Sequence, residues 1–255
     1  MAPYILITGA TSGIGEACAR QFAKLGYSLI LFARREERLM KLKQEIEKMG
    51  GSVITLKVDV QIESQVSKAL ASLPDEIKQS LVILINNAGL AVGKGPLSEG
   101  IIDDWERMID TNIKGLLYVS RHVVPIMQAN QKGHVFNISS IAGKEVYAGG
   151  NVYCATKHAV DALSKAMRID LVQHNIKVTN IAPGAVESEF SIVRFKGDEA
   201  LAKSVYEGFD ALHPKDVAET IVFAATRPAH MNLNDITIMP TAQASATVIY
   251  KNKFE

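Results

Sequence analysis

The sequence predicts an α/β protein: a doubly wound parallel sheet of about seven strands with helices on both faces, forming a single domain over residues 1–255. Three observations lead there. Short aliphatic and β-branched runs alternate with longer helical segments almost from end to end. The first apolar run leads straight into a glycine-rich turn that opens a helix. With 47% hydrophobic and 22% charged residues, the composition is that of an ordinary globular chain. A chain of 255 residues can bury ~70–75% of its unfolded surface in one core, without disulfides or a structural metal.

The elements follow in order. Residues 4–8 form a nearly continuous apolar run, the pattern of a strand covered on both faces. After the glycine turn, Ala17, Phe22 and Leu25 repeat at helical spacing, and Gly26 falls at the C′ position that favours glycine. A strand over 28–33, a helix over 36–48, a strand over 53–58 and a helix over 62–73 continue the rhythm. Further strands are expected over 81–86, 134–138, 177–181 and 235–239, all covered on both faces. Two long helices, 102–124 and 152–174, carry apolar residues on more than one face; in the first, Trp105, Met108, Ile109, Leu117 and Val123 spread widely. A helix on a sheet needs only one apolar stripe, so the surplus predicts a second partner, another subunit. Residues 187–209 mix charge, glycine and aromatics with weak periodicity and are expected to form a mobile loop or lid.

Charge and composition exclude several functions. The balance of 28 basic and 27 acidic residues gives +1, with no basic block to bind nucleic acid or an anionic membrane. No apolar run reaches bilayer length, and a strand beginning at Tyr4 leaves no room for a signal peptide, so a soluble cytoplasmic protein is expected. The C-terminal Lys253-Phe254-Glu255 matches no peroxisomal or endoplasmic-reticulum address. Cys18 and Cys154 are expected as reduced, partly buried thiols, and the six histidines show no metal-ligand spacing, so no metal is expected.

The chemistry begins at Thr8-Gly9-Ala10-Thr11-Ser12-Gly13-Ile14-Gly15. Glycines let the backbone turn tightly and approach a ligand, and the helix that follows offers free N–H groups to a pyrophosphate. At the end of the second strand an acid would bind the ribose hydroxyls of NAD, whereas arginine would accept a 2′-phosphate. Here Arg34 and Arg35 stand there, so NADP is expected. Arg34 is the phosphate clamp and Arg35 stacks on adenine or shares the phosphate; the alternative is a solvated start to the next helix. Downstream, Tyr153 and Lys157 lie four apart on one helix face. A phenol titrates too high for a neutral-pH base, and a nearby ammonium is expected to bring it down. Ser140 ends the fifth strand on the same side as the glycine turn, and Asn112 occupies a poor mid-helix position unless its side chain is used.

The glycine turn, Asn86-Asn87-Ala88-Gly89, Asn112, Ser140, Tyr153-Cys154-Ala155-Thr156-Lys157 and Pro183-Gly184 together resemble the short-chain dehydrogenases/reductases, over essentially the whole chain. The resemblance implies a Rossmann core and an Asn–Ser–Tyr–Lys tetrad. In it Tyr153 is the acid/base, Ser140 holds the substrate oxygen and Lys157 binds the nicotinamide ribose and lowers the tyrosine. Asn112 positions a water in the proton relay. It further implies that Asp59 and Val60 lie at the adenine, Asn87 at its ribose, and Pro183, Gly184 and Val186 at the nicotinamide amide. A homotetramer built on the two apolar-rich helices is also implied.

Three segments, 147–157, 190–198 and 228–240, are similar to the NADP-dependent 3-hydroxy acid dehydrogenases within that family, which oxidise serine, allo-threonine and related acids. Met239-Pro240-Thr241 departs from the Asp-Gly-Gly turn of the ketoacyl reductases and argues against that branch. The alternatives are a broad carbonyl reductase and a non-catalytic NADP(H) sensor. A hydroxy acid brings a carboxylate that needs a cation, and Arg194 is either its bidentate clamp or a solvated lid residue.

Overall fold

Seven apolar runs form β1 (Tyr4–Thr8), β2 (Ser28–Ala33), β3 (Val53–Lys57), β4 (Leu81–Asn86), β5 (Gly133–Ile138), β6 (Ile176–Pro183) and β7 (Asp235–Ile238) in a computed structural model that describes residues 2–252. Met1 and the Lys253-Phe254-Glu255 triplet lie outside the described residues. The strands make one parallel sheet in the order β3-β2-β1-β4-β5-β6-β7. Its direction of growth reverses between β1 and β4, and a crevice opens there at the carboxyl ends.

Alternation along each strand divides the core in two. Ile5, Ile7, Leu29, Leu31, Ile83 and Ile85 face one side of the sheet, where α1 (Gly13–Lys24) and α2 (Glu36–Lys48) cover them with Phe22, Leu39 and Ile46. Leu6, Ile30, Phe32 and Leu84 face the other, under Val66 of α3 (Glu63–Ala71) and Val123. Phe22, Phe32 and Phe136 have no exposed surface, each worth ~1.5–3 kcal/mol of burial. The expectation of two covered faces fails at β3 and β7, whose residues are largely half-buried or exposed. Both are edge strands, with a neighbour on one side only.

Helix ends follow the glycine signals. Gly26 adopts φ +82°, and the bonds Gly26 N–H to Ala23 O and Tyr27 N–H to Phe22 O close a Schellman turn after α1. A short α4 (Asp75–Gln79) follows α3. The helix expected over 102–124 is three pieces: α5 (Ile102–Ile109), a π-helical turn over Asp110–Gly115, and α6 (Leu116–Ala129), which continues past Pro125. Next come α7 (Asn151–Leu171) and a tight turn that ends at left-handed Asn175. The 187–209 segment is partly helical rather than a loop, with α8 (Phe190–Arg194) and α9 (Glu199–Ser204), the latter capped by the Asp198 carboxylate on Leu201 N–H. Last is α10 (Pro214–Ala225), beside α1.

The surplus apolar residues are exposed where the sequence places them, at Ile102, Ile109, Leu117 and Ile169. Cys18 and Cys154 are free and fully rather than partly buried. Among the described residues no helix is long and apolar enough to cross a membrane, and no cluster of ligating side chains could hold a metal ion.

Candidate active site

All the predicted site residues except Gly15 and Asn112 line one cleft of about 850 Å³ at the carboxyl ends of the strands. Its floor is the glycine turn, held by the segment after β4. Asn87 Nδ2 donates to Thr8 O and Gly9 O at 2.9 and 3.1 Å, and Thr8 Oγ1 accepts from Asn87 N and Ala88 N. Gly15 admits no side chain: a Cβ there would lie 2.4 Å from Asn87 Nδ2 and 2.5 Å from Gly9 O. Asn87 Nδ2 therefore shapes the turn, while the residue also lines the cleft. Ser12, at the N-cap of α1, makes no capping bond, so the first N–H groups of that helix have no side-chain acceptor there. Helix N–H groups of this kind suit a phosphate.

One end of the cleft is cationic. Arg34 is 62% exposed at its side chain, and its ionic neighbour Asp59 is 3.8 Å away, so its donors are open to a phosphate. Arg35 gives four bonds, to Thr11 Oγ1, Thr11 O, Ser12 Oγ and the Glu189 carboxylate, while still lining the cleft beside Arg34. Arg38, which the sequence reading passed over, pairs with both oxygens of Glu189 at 2.7 and 2.8 Å. The open Arg34 guanidinium and the uncapped helix N–H groups, in one cleft of this volume, fit a phosphorylated dinucleotide such as NADP(H). Asp59 Oδ1 accepts from Gln61 N, and Val60 lines the wall beside it.

The other end holds the reactive side chains. Ser140, at the end of β5, accepts from Ala142 N at 3.1 Å and donates to Pro183 O at 3.4 Å, and it shares this corner of the cleft with Tyr153. Burial pushes the Tyr153 phenol well above the usual tyrosine range, against the opposing pull of Ser140 and Arg194. The expected lowering by Lys157 is not what the structure gives. Lys157 is buried one turn along α7, its Nζ donates to Ile138 O at 2.8 Å, and burial brings its own pKa down to about 8. It stands 5.9 Å from the centre of the Tyr153 ring.

Asn112 sits in the π-helical turn with its amide fully used. Oδ1 accepts from Leu90 N at 2.8 Å, and Nδ2 donates to Leu90 O and Thr156 Oγ1 at 2.8 and 3.0 Å. It joins the loop after β4 to α7, the helix that carries Tyr153 and Lys157. Pro183 and Gly184 form the facing wall, braced by Gln243 Oε1 on Ala185 N, and Val186 O accepts from Tyr206.

Arg194 hangs over this corner from the end of α8. Its guanidinium carbon is 5.3 Å from the Tyr147 ring centre and 5.7 Å from that of Tyr153. Its Nε is buried with no hydrogen-bond partner among the described residues. Tyr147 went unread in the sequence, and Glu189 carries no local signal at all. Arg38 could have been found, since it lies three residues after Arg35 on the same helix face.

Comparison with known proteins agrees with this geometry. The family model described as short chain dehydrogenase matches residues 3–198. The chain is 46% identical over 243 residues to the NADP-dependent 3-hydroxy acid dehydrogenase YdfG of Salmonella typhi, covering 95% of this chain and 96% of that protein. It is 42% identical over 245 residues to the sulfoacetaldehyde reductase 2 of Chromohalobacter salexigens, covering 96% of each. The closed form of a serine dehydrogenase complexed with NADP+ superposes with a TM-score of 0.90 at 44% identity, over 98% of this chain and 100% of that one.

Proposed function

Because the chain belongs to the short-chain dehydrogenases, we propose that it is an NADP(H)-dependent oxidoreductase acting at the 3-hydroxyl of a small hydroxy acid such as serine or allo-threonine, or on its carbonyl partner. The observation that carries this reading is the corner where Ser140 and Tyr153 meet Arg194, with its buried, unspent Nε. The names of the related proteins support it.

When bound, NADP(H) supplies the hydride acceptor or donor. The turn from Gly9 through Thr11, Ser12, Gly13, Ile14 and Gly15 and the first N–H groups of α1 would hold its pyrophosphate. Arg34 would take the 2′-phosphate, Asp59 and Val60 the adenine, Lys157 the nicotinamide ribose, and Pro183 through Val186 the carboxamide. Ser140 donates to the substrate oxygen, and Tyr153 gives a proton to that oxygen on reduction or takes one from it on oxidation. The raised phenol is ready as the acid; as a base it must first lose its proton, which the Arg194 charge and the neighbouring Ser140 hydroxyl favour. Arg194 clamps the substrate carboxylate from above, where a charge shielded from water needs a partner.

In this reading one catalytic domain carries its lid over 187–209 and works in the cytoplasm, where Cys18 and Cys154 stay reduced. Ile102, Ile109, Leu117 and Ile169 would be covered in a homotetramer; a single sedimenting species near the monomer mass of 27.7 kDa would contradict that. A rate panel with NADP+ tests the activity. Serine, allo-threonine and 3-hydroxypropionate should be oxidised in preference to uncharged alcohols, with a small sulfonate included as a second anionic head group. Preference for uncharged carbonyls would favour a broad carbonyl reductase, and NADPH binding without turnover of any substrate would favour a sensor.

A further inference from the structure

We propose that Glu189, gripped by Arg35 and Arg38, is a latch that closes the chain after β6 across the dinucleotide cleft and sets how fast NADP(H) leaves. The proposal rests on the cofactor reading above.

The segment after β6 lies against the glycine turn: a Cβ added to Gly13 would lie 3.6 Å from Ser188 Cβ. One residue on, Glu189 reaches to α2. Both of its oxygens meet Arg38, at 2.7 and 2.8 Å, and one meets Arg35 at 2.9 Å. Arg35 is in turn anchored on Thr11 and Ser12 of the turn itself. These links close a ring from β1 through the glycine turn, Arg35 and Glu189 to Ser188 and back to β6. Arg35, Ser188 and Glu189 of the ring line the same cleft as Arg34, Ser140 and Tyr153. In this proposal a dinucleotide that occupies the cleft is retained until the ring opens. Arg34 takes no part in the ring, so its donors stay with the 2′-phosphate while the latch is shut. Glu189 is also the N-cap of α8, the helix that brings Phe190 to within 5.8 Å of the Tyr153 ring centre and carries Arg194. The proposed latch thus leads directly into the helix that carries Arg194.

The three side chains are 43–46% exposed, so neutral substitutions leave the core untouched. Exposed ion pairs are individually modest, and two on one carboxylate predict about a three- to tenfold effect on release. The test is stopped-flow displacement of fluorescent NADPH by excess NADP+ from the unmutated protein, Glu189→Gln, Arg38→Gln and the double variant. Both single variants should release NADPH faster, Glu189→Gln by about three- to tenfold. The double variant should be no faster than Glu189→Gln, because both changes break the same contact. Unchanged or slower release from Glu189→Gln, or accelerations that multiply in the double variant, would overturn the latch. An unmutated protein that binds no NADPH would overturn the cofactor reading, and the latch with it.

Discussion

Replacing Arg194 by methionine should separate charged from uncharged substrates. Methionine keeps much of the length and apolar contact over Tyr147 and Tyr153 while removing the charge and the unspent Nε donor. A charge-assisted hydrogen bond contributes about 1.5–3 kcal/mol. A clamp offers two, but dehydrating both ions offsets part of that, so the net of one bond is the working figure. That is roughly a ten- to hundredfold rise in KM for serine or 3-hydroxypropionate. The lost cation–π contacts are worth about 1 kcal/mol, which lowers Tm by only about 2–4 °C in a chain of this size. Initial rates followed by nicotinamide absorbance, on a hydroxy acid and on an uncharged ketone, give the two KM values side by side. Equal damage to both substrates would make Arg194 a structural residue. No damage to either would place the carboxylate elsewhere or remove the hydroxy-acid assignment.

Three other outcomes are expected. Arg34→Asp should cost tenfold or more in kcat/KM for NADP(H) relative to NAD(H); an unmutated protein indifferent to the two cofactors would refute the phosphate site. Asn112→Ala should lower kcat at least tenfold while NADPH affinity stays within about twofold, since it removes two bonds to Leu90 and one to Thr156 of α7 without facing the cofactor, each worth about 1 kcal/mol. His134 is held neutral by burial, its pKa lowered to about 3, so between that value and about 6.5 the unfolded chain binds the extra proton. Its contribution is complete above about pH 6.5 and declines by up to ~1.4 kcal/mol per unit as pH falls toward 3. Denaturant unfolding at several pH values should show this slope, and His134→Gln should flatten it.

What the sequence discloses is what repeats locally. The bounds of β1, β2, β4 and α2 could be read to the residue, because central strands are apolar throughout and the neighbouring glycines mark where helices stop. The edge strands could not be told from central ones, since Val53 and Ile236 look the same in sequence whether one side or both is paired. Nor does helical spacing distinguish a π turn from an α turn, so the break at Asn112 was visible only as an asparagine in a poor place. Tyr153 and Lys157 were legible as neighbours on α7. The direction of the lysine was not, because its partner, Ile138 O, comes from a different strand. Glu189 lies 154 residues from Arg35, and no local pattern records a contact that only the closed sheet creates.

The most direct measurement is a paired assay of Tyr153→Phe: NADP+-linked oxidation of a small 3-hydroxy acid beside NADPH binding by fluorescence. The hydroxyl oxygen is the only heavy atom removed, and the ring keeps its packing against Phe190 and Arg194. Turnover should be lost while the NADPH dissociation constant stays within about threefold of the unmutated protein, roughly 0.6 kcal/mol. A variant that keeps most of its activity would contradict the assignment of the proton to Tyr153.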